Sequence, residues 1–204
     1  MLKPILIGAL LMMGGTGSSL AASVSKTYSY FSVGGSTLSE IERELDRRGP
    51  QIAATGKRHP GATTLEFTSK LTFARENGSC RIANADISVK ASVKLPRWKR
   101  PNRADQGTRL IWDTLASDIK RHEESHIGIA KNHARQLEAS LERLGQFPSC
   151  RAAQASAQAV STRALAQHDA DQARFDRIEG RNFEDRIITL LKYRLQRMEA
   201  ANGK

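Results

Sequence analysis

The chain is poor in aromatic residues, in acidic residues and in long apolar runs, and these shortages exclude several classes of function. Aromatic residues make up only 5% of the 204 residues, and the basic residues are scattered along the chain. The sequence therefore lacks the aromatic platforms and basic stripes that are typical of nucleic-acid-binding proteins. No segment after the N-terminus is apolar over enough residues to cross a bilayer. Lysine and arginine outnumber acidic residues by 32 to 21, which gives a net charge of +11.

The N-terminal residues 1–22 predict export. They begin with Lys3, continue through an apolar stretch at residues 5–13, and end with Ala21 and Ala22. This is the pattern of a signal peptide cleaved after Ala21 or Ala22, and an uncleaved anchor is the alternative. We therefore expect a periplasmic or secreted protein with no transmembrane segment in its mature chain. Its positive charge favours association with anionic cell-envelope polymers, because opposite charges attract the chain to such surfaces.

The two cysteines, Cys80 and Cys150, fit an exported chain. Neither belongs to a Cys-x-x-Cys pair, so zinc ligation by thiolates is the weaker interpretation. An even number of cysteines in an oxidising compartment predicts one disulfide, which would close a loop of about 70 residues. Such a bridge would connect the strand-rich part of the chain to its helical part.

Periodicity predicts an α+β fold in a single domain, residues 23–204. The part from 23 to 100 is strand-rich and contains one helix, which Ser36 or Thr37 caps. An Asn77-Gly78 turn joins its two longest strands into a hairpin, and we expect a small antiparallel sheet. From 104 to 200 the pattern is helical, with breaks near Gly145 and Asn182.

The most informative motif is His122-Glu123-Glu124-Ser125-His126, a His-Glu-x-x-His sequence within the predicted long helix. Histidines four residues apart lie on one helix face, so both imidazoles can reach one zinc ion. In this pattern His122 and His126 are ligands, and Glu123 is the general base for a water molecule that zinc activates. The motif histidines share a predicted core-facing stripe with Leu115, Ile119, Ile129, His133, Leu137, Leu141 and Leu144.

The chain resembles the bacterial family of predicted secreted zinc-dependent proteases, a domain family otherwise of unknown function. Besides the zinc motif, the resemblance rests on Trp112 ahead of it, on Pro96-Arg97-Trp98 after the strands, and on one cysteine on each side of the helix. The resemblance also includes the order of features near the N-terminus, which is a strand, Gly34-Gly35, a helix and then Gly49-Pro50. The resemblance covers roughly residues 26–182 and implies a periplasmic or secreted zinc metallopeptidase that acts on peptides or proteins.

A catalytic zinc site needs a third protein ligand, and the sequence leaves it open. His133 is excluded because an unbroken helix carries it about 10 Å beyond His126. The next helix would pack antiparallel on the first, and the resemblance points there to the pair Phe175-Asp176. Where the family tends to continue with Thr-x-His-Gly, this chain has residues 179–182, so Arg181 stands in place of the histidine. Asp176 is our predicted ligand, and the other candidates are His168, Asp169, Asp171 and Glu179.

The sequence therefore predicts an exported zinc peptidase, with Arg181, His168 or Tyr193 available to stabilise the oxyanion. The alternative is a non-catalytic basic envelope protein that binds anionic polymers or a protein partner, with structural zinc or no metal. A structural zinc would have four protein ligands and no open position, whereas the metal-free protein would bind no metal and would show a strong salt dependence of binding.

Overall fold

A computed structural model describes residues 22–52 and 56–202 of the chain. The predicted signal peptide falls almost entirely on residues 1–21 and lies outside the described part. The elements, in chain order, are β1 (Ser23–Val33), α1 (Leu38–Arg48), β2 (Ala62–Glu76), β3 (Ser79–Trp98), α2 (Gln106–Glu142), α3 (Cys150–Arg181) and α4 (Phe183–Asn202). The predicted α+β class is confirmed, with a small sheet and one helix before a helical half.

The sheet has the order β1-β3-β2, and it is mixed, not wholly antiparallel. β2 and β3 form the predicted antiparallel hairpin around Asn77 and Gly78. β1 lies on the other side of β3 and runs parallel to it. The prediction of a purely antiparallel sheet is therefore wrong for β1. Alternation of apolar residues identifies which face of a strand is buried, but it carries no information about strand direction.

Helix α1 is placed against the sheet by two tryptophans. Thr37 caps the helix with a capping box that also uses Glu40, as the sequence predicted for this region. Trp98, at the end of β3, and Trp112, on α2, pack with their ring centroids 5.7 Å apart. The Trp98 indole also donates a hydrogen bond to the carbonyl of Gly35. This cluster fixes the start of α2 relative to the sheet.

Helix α2 is unbroken from Gln106 to Glu142 and lies across one face of the sheet. Its most buried residues pack on β3 in two clusters, one around Ile119 and Ile127 and the other around Ala130 and Leu141. The predicted stripe is therefore displaced by about one residue in its central part, where Glu123 is buried and His122 and His126 are only partly buried. The reason is that α2 contacts the sheet on one side and α3 on another, so its buried surface is wider than one stripe.

Helix α3 runs antiparallel to α2. His133 contacts Asp171, and His126, which comes earlier on α2, contacts Gln172, which comes later on α3. The predicted disulfide between Cys80 and Cys150 is present and joins β3 to the start of α3. Helix α4 then packs on α2 through Arg186, which bonds to the buried carboxylate of Asp118. Among the helices described here, none is long and apolar enough to span a membrane.

Candidate metal centre and its surroundings

The His-Glu-x-x-His motif lies midway along α2, where the helix has the sheet on one side and α3 on the other. Successive helical residues are rotated by 100° around the axis, so His122 and His126 share a flank that Glu123 does not. The two histidines face α3, whereas Glu123 points toward the start of β2. The local helix geometry therefore turns the two imidazoles toward α3 and the buried Glu123 carboxylate toward β2.

Asp176 of α3 completes a compact group of three potential ligand atoms with His122 and His126. The Nε2 atoms of the two histidines are 3.1 Å apart. The Oδ1 atom of Asp176 lies 3.3 Å from Nε2 of His122 and 3.1 Å from Nε2 of His126. The three atoms thus form a nearly equilateral triangle.

This triangle has the dimensions of one face of a tetrahedral zinc site. Zinc binds imidazole nitrogen and carboxylate oxygen at about 2.0–2.1 Å, which separates tetrahedral ligand atoms by about 3.3–3.4 Å. The observed separations of 3.1–3.3 Å are within a few tenths of an ångström of that spacing. The donor set, two imidazoles and one carboxylate, also suits zinc. The Asp176 side chain is 54% exposed, so the group is reached directly from solvent.

Each histidine has a different partner at its second ring nitrogen. Nδ1 of His126 lies 2.6 Å from the side-chain oxygen of Gln172, one turn of α3 before Asp176. Nδ1 of His122 faces Glu179 Oε2 at 3.7 Å, one turn after Asp176. The Phe175 ring stacks on the His122 ring with centroids 5.0 Å apart. These contacts hold both rings with Nε2 directed toward Asp176, as ligand-orienting contacts do in metal sites.

Glu179 is itself held by two arginines, which removes it from the ligand group. Arg121 and Arg186 both form ion pairs with its carboxylate. Burial raises the pKa of Glu179, but the hydrogen bond and charge of Arg121 outweigh this effect and leave the pKa below its usual value. Glu179 is therefore a fixed anion beside His122, and Arg186 links it to Asp118 and to helix α4.

Glu123 is buried against the first residues of β2. The Thr63 hydroxyl lies 2.8 Å from Oε2 of Glu123 and 3.1 Å from its backbone carbonyl. Gly61 lies so close that a Cβ atom there would be 2.7 Å from Oε1 of Glu123. Burial raises the pKa of the Glu123 carboxyl, and the Thr63 hydrogen bond offsets only part of this rise. A carboxylate with a raised pKa is a stronger proton acceptor than an ordinary surface glutamate.

The charges of the three clustered groups reinforce one another. Burial alone would raise the pKa of Asp176 and lower that of His126. Hydrogen bonds from His122 and His126 outweigh burial and hold the pKa of Asp176 well below its usual range, and the bonds that the protonated His126 ring makes to Asp176 and Gln172 hold the pKa of His126 above its usual value. The carboxylate is consequently ionised near neutral pH, which is the state that a metal ligand requires.

The structure shows which of the residues predicted for this site lie together and which lie elsewhere. Asp176 joins His122 and His126, whereas Glu179 lies behind His122. His168 is buried and bonds to Gln172, so it is separated from the cluster by that residue. His133 pairs with Asp171 and Asp169 pairs with His168, so neither aspartate reaches the cluster. In the described part of the chain, Arg181 and Tyr193 form no hydrogen bond or ion pair with the cluster.

Sequence reasoning missed the residues that position the motif: Gly61, Thr63, Gln172 and Phe175. Glycine, threonine and glutamine are common on surfaces and at strand starts, and no short motif marks them. Phe175 was noted only as the neighbour of Asp176. The one available signal was spacing, because Gln172, Asp176 and Glu179 are four and three residues apart and so share a face of α3.

Comparison with known proteins identifies a family but no function. No curated protein matches the chain, and no solved structure matches it. A match to a protein family covers residues 28–183, which include His122, His126 and Asp176 and the residues that orient the two imidazoles. Because this match extends over more than half of the 204 residues, the chain belongs to the family described as "Bacterial protein of unknown function (DUF922)".

Proposed function

We propose that this protein is an exported zinc-dependent peptidase, with His122, His126 and Asp176 as its metal ligands. The observation that carries the proposal is the triangle of ligand atoms, whose edges of 3.1–3.3 Å match a tetrahedral zinc site. On this proposal, the protein has the proteolytic activity that its resemblance to predicted secreted zinc-dependent proteases implies. The predicted signal peptide and the Cys80–Cys150 disulfide support a periplasmic or secreted location.

The open side of the cluster favours a catalytic site over a structural one. Structural zinc sites use four protein ligands, whereas catalytic sites use three and leave one position free. Within residues 22–52 and 56–202, the ligand group contains three donor residues and no fourth histidine, cysteine or acidic residue. The exposure of Asp176 provides a route by which a peptide reaches that side.

The residues of the chain have separate roles in the proposed hydrolysis. Zinc, when bound, supplies a Lewis acid that acidifies a water molecule and polarises the scissile carbonyl. Glu123 accepts the proton of that water and delivers it to the leaving amine. The Glu123 carboxylate is bonded to Thr63 and packed closely on Gly61, so its orientation is fixed before the reaction begins.

The proposal is tested with two neighbouring substitutions in the motif. Glu123→Gln removes the proton acceptor but keeps the side-chain shape, so we expect peptide cleavage to fall by about 10²–10⁴-fold while zinc content is unchanged. Glu124→Gln is the matched control, because Glu124 bonds to Tyr28 on the other flank of the helix. It should retain both zinc and activity.

The assay is cleavage of a mixed peptide library by the purified protein, read by mass spectrometry, together with elemental analysis of each variant. Wild-type protein that holds zinc but cleaves no peptide would reject the peptidase assignment. Equal activity of Glu123→Gln and wild type would reject the role of Glu123. The basic, non-catalytic envelope protein is the outcome that remains if no zinc is bound.

A further inference from the structure

A partly buried amide on α3, that of Gln172, determines which ring nitrogen of His126 carries a proton. The side-chain oxygen of Gln172 lies 2.6 Å from Nδ1 of His126. Its side-chain nitrogen lies 3.0 Å from the backbone carbonyl of His126 and 2.8 Å from Nε2 of His168. All three polar contacts of this amide are thus made within the helix pair.

The orientation of the amide follows from its backbone contact. A carbonyl oxygen only accepts hydrogen bonds, so the group that faces the His126 carbonyl must be the NH2 of Gln172. The amide oxygen then faces Nδ1 of His126. At 2.6 Å two lone pairs would repel, and therefore Nδ1 carries the proton and donates it to Gln172.

The same reasoning extends to His168. The second N–H of the Gln172 amide points at Nε2 of His168, which must accept it. In the neutral ring the proton of His168 is then on Nδ1, which lies 2.9 Å from Asp169 Oδ1. His168 is buried, and its ring meets the Phe67 ring edge-on with centroids 4.9 Å apart. A rigid histidine therefore holds the amide that holds His126.

We propose that Gln172, fixed by His168, is a positioning residue that keeps His126 in the tautomer whose Nε2 lone pair faces the metal-ligand group. This inference rests on the proposed function for its purpose, since a ligand histidine must present a lone pair to the ion. The constraint is needed because Asp176 lies 3.1 Å from Nε2 of His126. In the neutral ring, that carboxylate would draw the proton to Nε2 if nothing retained it at Nδ1.

The first test reads tautomers by long-range ¹H–¹⁵N NMR of the imidazole rings, in metal-free protein at alkaline pH where the rings are neutral. Wild-type protein should show His126 protonated at Nδ1 and His168 protonated at Nδ1. Gln172→Leu removes all three hydrogen bonds, and we expect the His126 proton to move to Nε2. Gln158→Leu, an exposed change on the same helix, is the matched control and should leave both rings unchanged.

Gln172→Glu distinguishes the proposed hydrogen bonds of Gln172 from a role in simple packing. A carboxylate keeps the acceptor for Nδ1 of His126, so His126 should retain its wild-type tautomer. The variant has no N–H for His168, whose Nε2 should then gain the proton and donate it to the carboxylate. A packing role alone predicts no change at His168. This variant also tests the proposed hydrogen bonds if Gln172→Leu fails to fold.

The second readout is zinc affinity, measured by competition with a chelator of known affinity. Loss of an orienting partner typically lowers metal affinity by about 10–100-fold, which we expect for Gln172→Leu but not for Gln158→Leu. Wild-type His126 protonated at Nε2, or an unchanged His126 tautomer in Gln172→Leu, would overturn the inference. Absence of zinc binding together with the expected tautomers would instead reject the proposed function and leave the tautomer assignment intact.

Discussion

Gly61→Ala provides a quantitative test of how Glu123 is held. Gly61 lies outside the left-handed backbone region, so alanine fits its backbone without strain. The new Cβ, however, would lie 2.7 Å from Oε1 of Glu123 and 2.8 Å from Cγ2 of Ile119. Both neighbours are buried, and Glu123 is also bonded to Thr63, so neither side chain moves freely. Overpacking of this kind costs about 1–3 kcal/mol of unfolding free energy.

The matched control is Gly128→Ala, within the same helix as Glu123. A Cβ at Gly128 meets no atom within 4 Å, and alanine in a helix interior is favoured over glycine by about 0.5–1 kcal/mol. Urea denaturation should therefore place Gly61→Ala below wild type and Gly128→Ala above it. Gly61→Ala should also lose peptidase activity while it retains zinc, since the side chains that it displaces, Glu123 and Ile119, are not among the proposed ligands. A Gly61→Ala protein as stable as wild type would refute the close packing on which this reasoning depends.

Three further perturbations test the scaffold and the site. Replacing Cys80 and Cys150 together with alanine should lower the unfolding free energy by about 4 kcal/mol in urea melts, because a bridge over 70 residues strongly restricts the unfolded chain. Asp118→Asn should cost about 1.5–3 kcal/mol at pH 7, because a neutral amide replaces the buried carboxylate to which both Arg121 and Arg186 bond. Burial raises the pKa of Asp118, but the bonds from the two arginines lower it by more, so the folded-state pKa lies below the ordinary value of 3.8. The stability difference between wild type and Asp118→Asn should therefore be complete above pH 3.8 and should disappear as the pH falls through the folded-state pKa. Thr63→Val removes a bond that lowers the Glu123 pKa, so the acid limb of the kcat/KM profile should move to higher pH.

Local sequence signals predicted most of the fold. The Asn77-Gly78 turn and the strand alternation predicted the hairpin, and the Thr37 capping box marked the start of α1. Strand direction was the part that local pattern could not supply. β1 runs parallel to β3 because of how the chain connects through α1, and alternation is the same in either direction.

The candidate site was predictable only where its residues are close in sequence. His122, Glu123 and His126 form a motif because helix geometry fixes their relative positions. Asp176 depended on a family resemblance and on the expectation that α3 packs antiparallel, and the choice among acidic residues required the rotation of α3 about its axis. Thr63 and Gln172 lie 60 and 46 residues from their partners in the motif. No sequence periodicity reports contacts of that kind.

The central claim is that His122, His126 and Asp176 bind one zinc ion, and metal content tests it most directly. We would purify the untagged protein and measure zinc per chain for wild type, His122→Ala, Asp176→Asn and His133→Ala. His133 is on the same helix but pairs with Asp171 outside the ligand group, so its variant is the matched control. Our account predicts about one zinc in wild type and His133→Ala, none in His122→Ala, and a weakened site in Asp176→Asn. Absence of zinc from wild type after reconstitution, or full retention by His122→Ala, would contradict it.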